Sequence, residues 1–391
     1  MLLDRMLSAL VRQGQFRVTY PDGETRTYGD GTMPEVHAVI HNADCVRGLA
    51  LNPDLAIGEA YMDGDVTFED DDLYGFLALA AANLANADPV WWQRGLDKMR
   101  HKLRRFAQAN KIGVARTNVA HHYDLSSELY DLFLDGDKQY SCAYFADPAM
   151  TLEEAQAAKK AHIAGKLLIE PGMTVLDIGC GWGGMGLTLA RDYGARVVGV
   201  TLSEEQHKLA RARAREAGLE GQVDFRLTDY RNVSETFDRV VSVGMFEHVG
   251  IPHYREYFRT VSDRLKPDGV ALIHTIGRVA PPSYTSPWID KYIFPGGYCP
   301  SLSEMTAAIE DEYLYPTDVE IWRLHYAETL RHWYERFTAN EDKAREIYDE
   351  RFVRMWRYYL LACETTFRYG RQAVFQVQLT HKQEAVPLTR T

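Results

Sequence analysis

Five glycines crowd one turn of the chain. In TVLDIGCGWGGMG, residues 174–186, they stand at 179, 181, 183, 184 and 186. Ahead of them runs a β-branched apolar stretch that carries Asp177, and behind them the spacing becomes helical. A strand that opens into glycines at the mouth of a helix lets a ligand approach the backbone closely. The loop is not of the Gly-Lys-Ser/Thr phosphate-binding type, because no such pair follows, and it is not a clean G-x-G-x-x-G. The next apolar run, VVGVTLSEEQ, narrows the ligand. A dinucleotide site usually ends this strand in an acid for the ribose hydroxyls; here Thr201, Ser203 and Gln206 stand instead. After the third run, LTDYRNV brings Asp229 and Tyr230 together, an acid to pair with an adenine and a ring to stack on it. Such a set suits an adenosine ligand without a pyrophosphate. S-adenosylmethionine fits, and a dinucleotide is the competing reading of the loop taken alone.

The elements that must position these residues follow from pattern. TLEEAQAAKKAHIAGKLL reads as a helix opened by a capping box, Thr151 to Glu154. From there TVLDIG, RVVGVTL, VDFRLTD, FDRVVSVGM and GVALIHTIG read as strands, with helices GMGLTLARDYG, EEQHKLARARAREAG and YREYFRTVSDRL between them. This alternation predicts a parallel sheet covered on both faces, with ligands beyond the carboxyl ends of the strands. AVFQVQLT reads as a late strand set in reverse beside GVALIHTIG. From about 280 the regularity breaks, first in PPSYTSPWIDKYIFPGGYCP and then in aromatic-rich helices.

Residues 1–110 read as a separate, smaller N-terminal domain, and 111–391 as the catalytic one. FRVTYPDGETRTYGDG predicts a hairpin turning at Pro21-Asp22-Gly23. GEAYMDGDVTFEDDD predicts a turn-rich stretch leading into a helix. LDKMRHKLRRFAQANK is helical in pattern, with Lys98, Arg100, Lys102, Arg104, Arg105 and Lys111. It reads either as a solvated linker or as a basic face for anionic lipid headgroups.

The whole chain sets limits. Of 391 residues, 46% are hydrophobic and 25% charged, as in ordinary globular proteins. A net charge of -11 argues against generic nucleic-acid binding, while a local basic patch stays compatible with an anionic membrane. Aromatic residues reach 12%, which leaves room for an apolar ligand or a membrane-facing surface. Cys45, Cys142, Cys180, Cys299 and Cys363 are odd in number and have no metal-ligand spacing, so they read as reduced thiols of a cytosolic protein. The N-terminus lacks the apolar core of a signal peptide, and no run approaches a membrane span. Any membrane contact is expected to be peripheral, at the inner face.

Eight segments, in order, are similar to the cyclopropane fatty acid synthase family, which includes the mycolic acid cyclopropane synthases. They are HHYDLSSELYDLFLD, QYSCAYF, VLDIGCGWGG, GVTLSEEQ, MFEHVG, IHTIG, HYAETLRHWYERF and RMWRYYLLACETTFR. The match covers roughly 110–385, and GEAYMDGDV resembles the N-terminal domain of the full-length bacterial synthases. The resemblance implies an α/β, Rossmann-like class I S-adenosylmethionine-dependent methyltransferase with a smaller N-terminal domain for membrane docking or dimerisation. The implied reaction adds a methylene across the double bond of an unsaturated acyl chain in a membrane phospholipid. A homodimer is the family precedent.

The resemblance also implies residues. A bicarbonate ion that acts as base would be held by Cys142, Glu247, His274, Ile276 and Tyr326, with no departure from the family pattern at these five positions. Cys363, in YYLLAC, corresponds to a cysteine regarded as an active-site residue; packing within a helix is its simpler role. The cofactor would be held by Tyr140 and Ser141, by Gly179, Cys180 and Gly181, by Thr201, Leu202, Ser203, Glu204, Glu205 and Gln206, and by Asp229 and Tyr230. Trp182 either walls the site or packs under the helix. Three other outcomes compete: the same methyl transfer giving a methyl-branched or furan-precursor chain, a lipid-binding protein without turnover, and a small-molecule O- or N-methyltransferase.

Overall fold

The computed structural model describes residues 2–86 and 126–389; the basic stretch at 98–111 and the opening of HHYDLSSELYDLFLD lie outside them. The chain divides into two compact units, each discontinuous in sequence. One gathers 1–102, 284–295 and 327–372; the other gathers 103–283, 296–326 and 373–391. This spatial division differs from a single cut near 110, because aromatic residues late in the chain complete the core of the first unit. Trp288 packs tilted against Tyr358 with ring centroids 4.6 Å apart, and Arg354 lies over Tyr61 at 4.4 Å while donating to its carbonyl at 2.5 Å.

The first unit holds a sheet of order β2-β1-β3-β4, built from β1 (Gln15–Thr19), β2 (Thr25–Gly29), β3 (Glu35–Ile40) and β4 (Val66–Phe68). β1 and β2 form the expected hairpin, closed by Gly23 N–H on the Tyr20 carbonyl at 2.9 Å. β3 then runs parallel to β1 and buries Val36, Ala38 and Ile40 on one face. The turn-rich expectation for GEAYMD is corrected: it ends the helix Pro53–Asp63, which starts with proline in its first turn and stops at Gly64, φ 79°.

The second unit is a seven-stranded sheet. Its strands are β5 (Thr174–Ile178), β6 (Arg196–Thr201), β7 (Val223–Leu227), β8 (Phe237–Val243), β9 (Leu265–Arg278), β10 (Tyr315–Trp322) and β11 (Gln372–Thr380), in the order β10-β11-β9-β8-β5-β6-β7. β5 through β9 pair in parallel. Alternate residues of β9 serve opposite faces. Ala271 and Ile273 join a core with Phe246, Phe258 and Phe375, whereas Leu272 joins one with Ile163, Leu189 and Val197. Both faces are thus buried, which is why these strands read as continuous apolar runs.

β10 was not expected. Its sequence, YPTDVEIW, has a proline and acids at alternate positions in place of an apolar period, and it pairs antiparallel with β11. The acids face a helix, not solvent: Lys166 of the helix Leu152–Lys166 pairs with Asp318 at 2.7 Å and with Glu320 at 2.8 Å. The capping box at the start of that helix is present as expected.

Close packing fixes the end of β9. A Cβ at Gly277 would lie 2.1 Å from Phe375 Cε2. Gly277→Ala should therefore push β9 away from β11 and lower stability by about 1–3 kcal/mol, the usual cost of overpacking. Chemical unfolding against the wild type measures it, and an unchanged midpoint would show that Phe375 can move aside.

Candidate active site

A cavity of about 150 Å³ opens at the carboxyl ends of β5, β6 and β8. This is the position expected for a ligand in a parallel sheet. Gly179 and Gly181 take positive φ, 79° and 54°, at its floor. A Cβ on Gly179 would meet Met245 at 2.7 Å; one on Gly181 would stand in open space, the cavity itself. Of the residues expected to hold the cofactor, Tyr140, Ser141, Gly179, Cys180, Gly181, Thr201, Leu202, Gln206, Asp229 and Tyr230 line this cavity.

Three do not. Ser203 Oγ accepts from the Gln206 amide at 3.2 Å and caps the helix Glu204–Glu216, while Glu204 and Glu205 are exposed in its first turn. The helical rise turns those two side chains away from the loop, although they share its sequence motif. Asp229 comes already anchored, since Arg231 grips both carboxylate oxygens at 2.8 and 2.7 Å. Tyr230 lies edge-on to Tyr257 at 5.5 Å. The sequence reading assigned no role to Arg231, Met245 or His248, which also line the cavity. Their only sequence signal was proximity to the motifs. Trp182 walls the site: it lines the cavity, and it packs edge-on against Tyr130 at 5.0 Å.

Asp177 tests the fit of S-adenosylmethionine. It lines the cavity, is buried, and its Oδ2 has no hydrogen-bond partner. Burial alone pushes its carboxyl up to about 7. A buried acid with an unused oxygen suits a positively charged ligand, and the glycine floor leaves room for it, so the residues fit.

A second group of polar residues gathers where β8 and β9 end. Glu247, in the short helix Phe246–His248, accepts from the Ile276 amide at 2.6 Å, and its other oxygen has no partner. Burial raises it to about 7 against the lowering effect of that amide. Ile276 thus spends its N–H on Glu247, and its carbonyl accepts from Thr275 Oγ1 at 3.1 Å. His274 pairs in register with Val243, and its Nδ1 accepts from Gln376 Nε2 at 3.1 Å. That bond puts the ring proton on Nε2, and burial drives the imidazole well below its ordinary pKa, so it is a neutral donor. Cys142 is fully buried, and its thiol donates to the Ala143 carbonyl at 3.3 Å. Tyr326 is buried in the first turn of the helix His325–Ala339. Cys363 stands apart in the division of the chain: it is half-buried on the helix Glu350–Tyr369, in the first unit.

The fold is that of the class I S-adenosylmethionine-dependent methyltransferases. A structure of coclaurine N-methyltransferase superposes with a TM-score of 0.67 at 23% identity, covering 83% of this chain and 98% of that one. The particular family follows from sequence. A mycolic acid cyclopropane synthetase model matches residues 111–377, and a second model, described only as a domain of unknown function, matches 2–83. The cyclopropane-fatty-acyl-phospholipid synthase of Escherichia coli K12 is 40% identical over 341 residues, 86% of each chain. The tuberculostearic acid methyltransferase UfaA1 of Mycobacterium tuberculosis is 36% identical over 96% of this chain and 90% of its own. The mycolic acid cyclopropane synthase CmaA1, solved with SAH and CTAB, superposes with a TM-score of 0.64 at 35% identity over 68% of this chain and 97% of its own. The chain belongs to the mycolic acid cyclopropane synthetase family, and it is a methyltransferase.

Two outcomes follow from this geometry. Gly181→Val fills the cavity floor and forces a β-branched residue to φ 54°, so S-adenosylmethionine binding by calorimetry should be abolished. Normal affinity would place the cofactor elsewhere. Glu247 carries a raised pKa, so its contribution to stability is full below the unfolded value near 4.5 and is lost as pH rises through about 7. Ligand-free Glu247→Gln should therefore gain on the wild type by roughly 1–3 kcal/mol between pH 5 and pH 8. Parallel melting curves across that range would reject the buried-acid assignment.

Proposed function

We propose that this protein converts the double bond of an unsaturated acyl chain in a membrane phospholipid into a cyclopropane ring. The observation that carries the reading is the 86% mutual coverage with a phospholipid cyclopropane synthase, with the buried Glu247–Ile276–His274 group at the end of the sheet. S-adenosylmethionine supplies an electrophilic methyl group when bound. An alkene is a weak nucleophile, so the first task of the chain is alignment, assigned to the glycine floor, Ser141 and Tyr140. Attack through the double bond leaves a carbocation, and loss of a proton from the new methyl closes the ring.

The second task is accepting that proton away from water. Cys142, Glu247, His274, Ile276 and Tyr326 would hold a bicarbonate ion, which would supply the base. His274 and Glu247 carry the fit to such an ion. His274 offers a neutral Nε2–H, and Glu247, with a pKa raised to about 7, does not impose a full second charge at neutral pH. The Ile276 amide fixes the Glu247 carboxyl in place. Cys363 needs no step in this scheme, and its place in a packed helix supports a structural role.

The full-length likeness to a tuberculostearic acid methyltransferase supports a second reading, in which the same cation loses a different proton and keeps a methyl branch. Among the described residues no helix is long and apolar enough to cross a membrane. Access to the acyl chain is assigned to peripheral docking, supported by the cationic stretch 98–111 in an acidic chain.

Purified protein with monounsaturated phospholipid liposomes and methyl-deuterated S-adenosylmethionine should yield fatty acids with one CD2 unit gained and the double bond lost. A CD3 unit with unsaturation retained would transfer the assignment to the branching reading, and no label in lipid would sink both. Glu247→Gln should hold S-adenosylmethionine normally yet lose at least about 100-fold in turnover, the scale of a lost acid-base group. Unimpaired turnover would remove Glu247 from the chemistry.

A further inference from the structure

The helix Leu152–Lys166 buries two ionisable side chains that the chemistry above does not use, Lys159 and Lys160. Lys159 has no exposed surface. Its Nζ donates to Gln139 Oε1 at 2.7 Å and to Ser141 Oγ at 2.8 Å. Both acceptors are neutral. Among the described residues the ammonium has no carboxylate partner and no third acceptor, whereas its neighbour Lys160 pairs with Asp137. Asp135 and Asp137 stand near enough to offset part of the burial cost without bonding to the ammonium, and a buried ion compensated only in part favours a further opposite charge nearby.

The place of Lys159 says where that charge would sit. One turn earlier on the same helix face, Gln156 Nε2 donates to the carbonyls of Gln139 and Ser141, at 3.2 and 2.9 Å. Two side chains of one helix therefore pin the segment 139–142, which gives Ser141 to the cofactor cavity and Cys142 to the proposed anion site. Ser141 Cβ lies 3.8 Å from the position of a Cβ on Gly244, and the Gly244 amide donates to the His274 carbonyl at 2.9 Å. The ammonium thus stands behind the seam between the cavity and the residues proposed to hold the base. The Lys159 charge helps keep His274 neutral, and Cys142 is among the groups that act on Lys159 in turn.

We propose that Lys159 is a positioning residue of this site: its ammonium holds the Ser141–Cys142 segment in place and balances the charge of a bicarbonate bound among Cys142, His274 and Glu247. The inference rests on the bicarbonate reading given above.

The groups around the ammonium set a pH signature. Burial lowers Lys159 to about 8, partly opposed by Asp135 and Asp137 and by the Cys142 thiol, and reinforced by Lys160. Its charge is present below that value and lost above it, so bicarbonate affinity should fall as pH rises through about 8. Glu247 ionises at a lower pH and weakens the anion in wild type and variant alike, so the difference between the two isolates Lys159.

The test is equilibrium titration of the full chain with 13C-bicarbonate in carbonate-free buffer, next to titration with S-adenosylmethionine. Lys159→Met should raise the bicarbonate Kd about tenfold or more, the effect of one lost partly screened charge, and should abolish the step near pH 8. Cofactor affinity should fall less than bicarbonate affinity, because Gln156 still tethers the Ser141 carbonyl, and Lys159→Arg should recover part of the bicarbonate affinity. An unchanged bicarbonate Kd in Lys159→Met would overturn the proposal. So would a loss confined to cofactor affinity. If Lys159→Met does not fold, the titration is repeated in Glu247→Gln, where only the Lys159 step remains: weakening of bicarbonate through pH 8 supports the assignment, and a flat profile overturns it. No bicarbonate binding by the wild type at any pH would remove the anion site itself, and this inference with it.

Discussion

The hydrogen bond from the Ile276 amide to Glu247, 2.6 Å long, joins the carboxyl end of β9 to the short helix that follows β8. It exists because those two strands run parallel and in register, with Val243 opposite His274. From the other side, the Glu247 carbonyl takes the Tyr298 amide at 2.9 Å, so the short helix is tied at both ends of one residue. Phe375 on β11 fills the space that the missing Cβ of Gly277 leaves. A carboxyl held this way has one oxygen spent and one unspent. Its unused oxygen is a buried acceptor with no protein partner among the described residues.

Burial then gives the site its electrical character. Asp177 and Glu247 are both raised to about 7, His274 is held neutral, and Lys159 is lowered to about 8. Four groups that would be fully charged or half-charged in water are each pushed toward neutrality by the same loss of solvent. Chemistry that passes through a carbocation needs this environment, because water admitted to the site would trap the cation as an alcohol. The penalty of burying so many polar groups is limited by neutral partners: Gln376 on His274, Gln139 and Ser141 on Lys159, and backbone on Glu247.

The first unit draws its core from three separate stretches of the chain. The first unit is not built from the N-terminal residues alone; 284–295 and 327–372 leave the second unit's run of strands to complete it. Trp288, Tyr358 and Arg354 close on Tyr61 and its surroundings, and Arg351 pairs with Asp63 at 2.6 Å. A helix that reads in sequence as part of the catalytic segment, Glu350–Tyr369, therefore serves this unit, and Cys363 travels with it.

Much of this was legible in the residues. The parallel strands, the helices between them and the capping box at Thr151 follow from apolar runs and local hydrogen-bonding chemistry, which act over a few residues. The glycine loop, Thr201, Gln206 and the Asp229–Tyr230 pair could be expected to meet at one cavity because each sits at the end of a recognisable strand. β10 could not be read, since its alternating acids are satisfied by Lys166, a residue distant in sequence. Nor could Glu204 and Glu205 be told from their motif neighbours until the helix turned them outward. The pairing of Glu247 with Ile276, the tautomer of His274 and the burial of Lys159 depend on strand register and packing across long separations in sequence. The sequence by itself determined which elements form and which chemistry is available; the tertiary structure decided which polar groups lose their water, and that loss sets their charge.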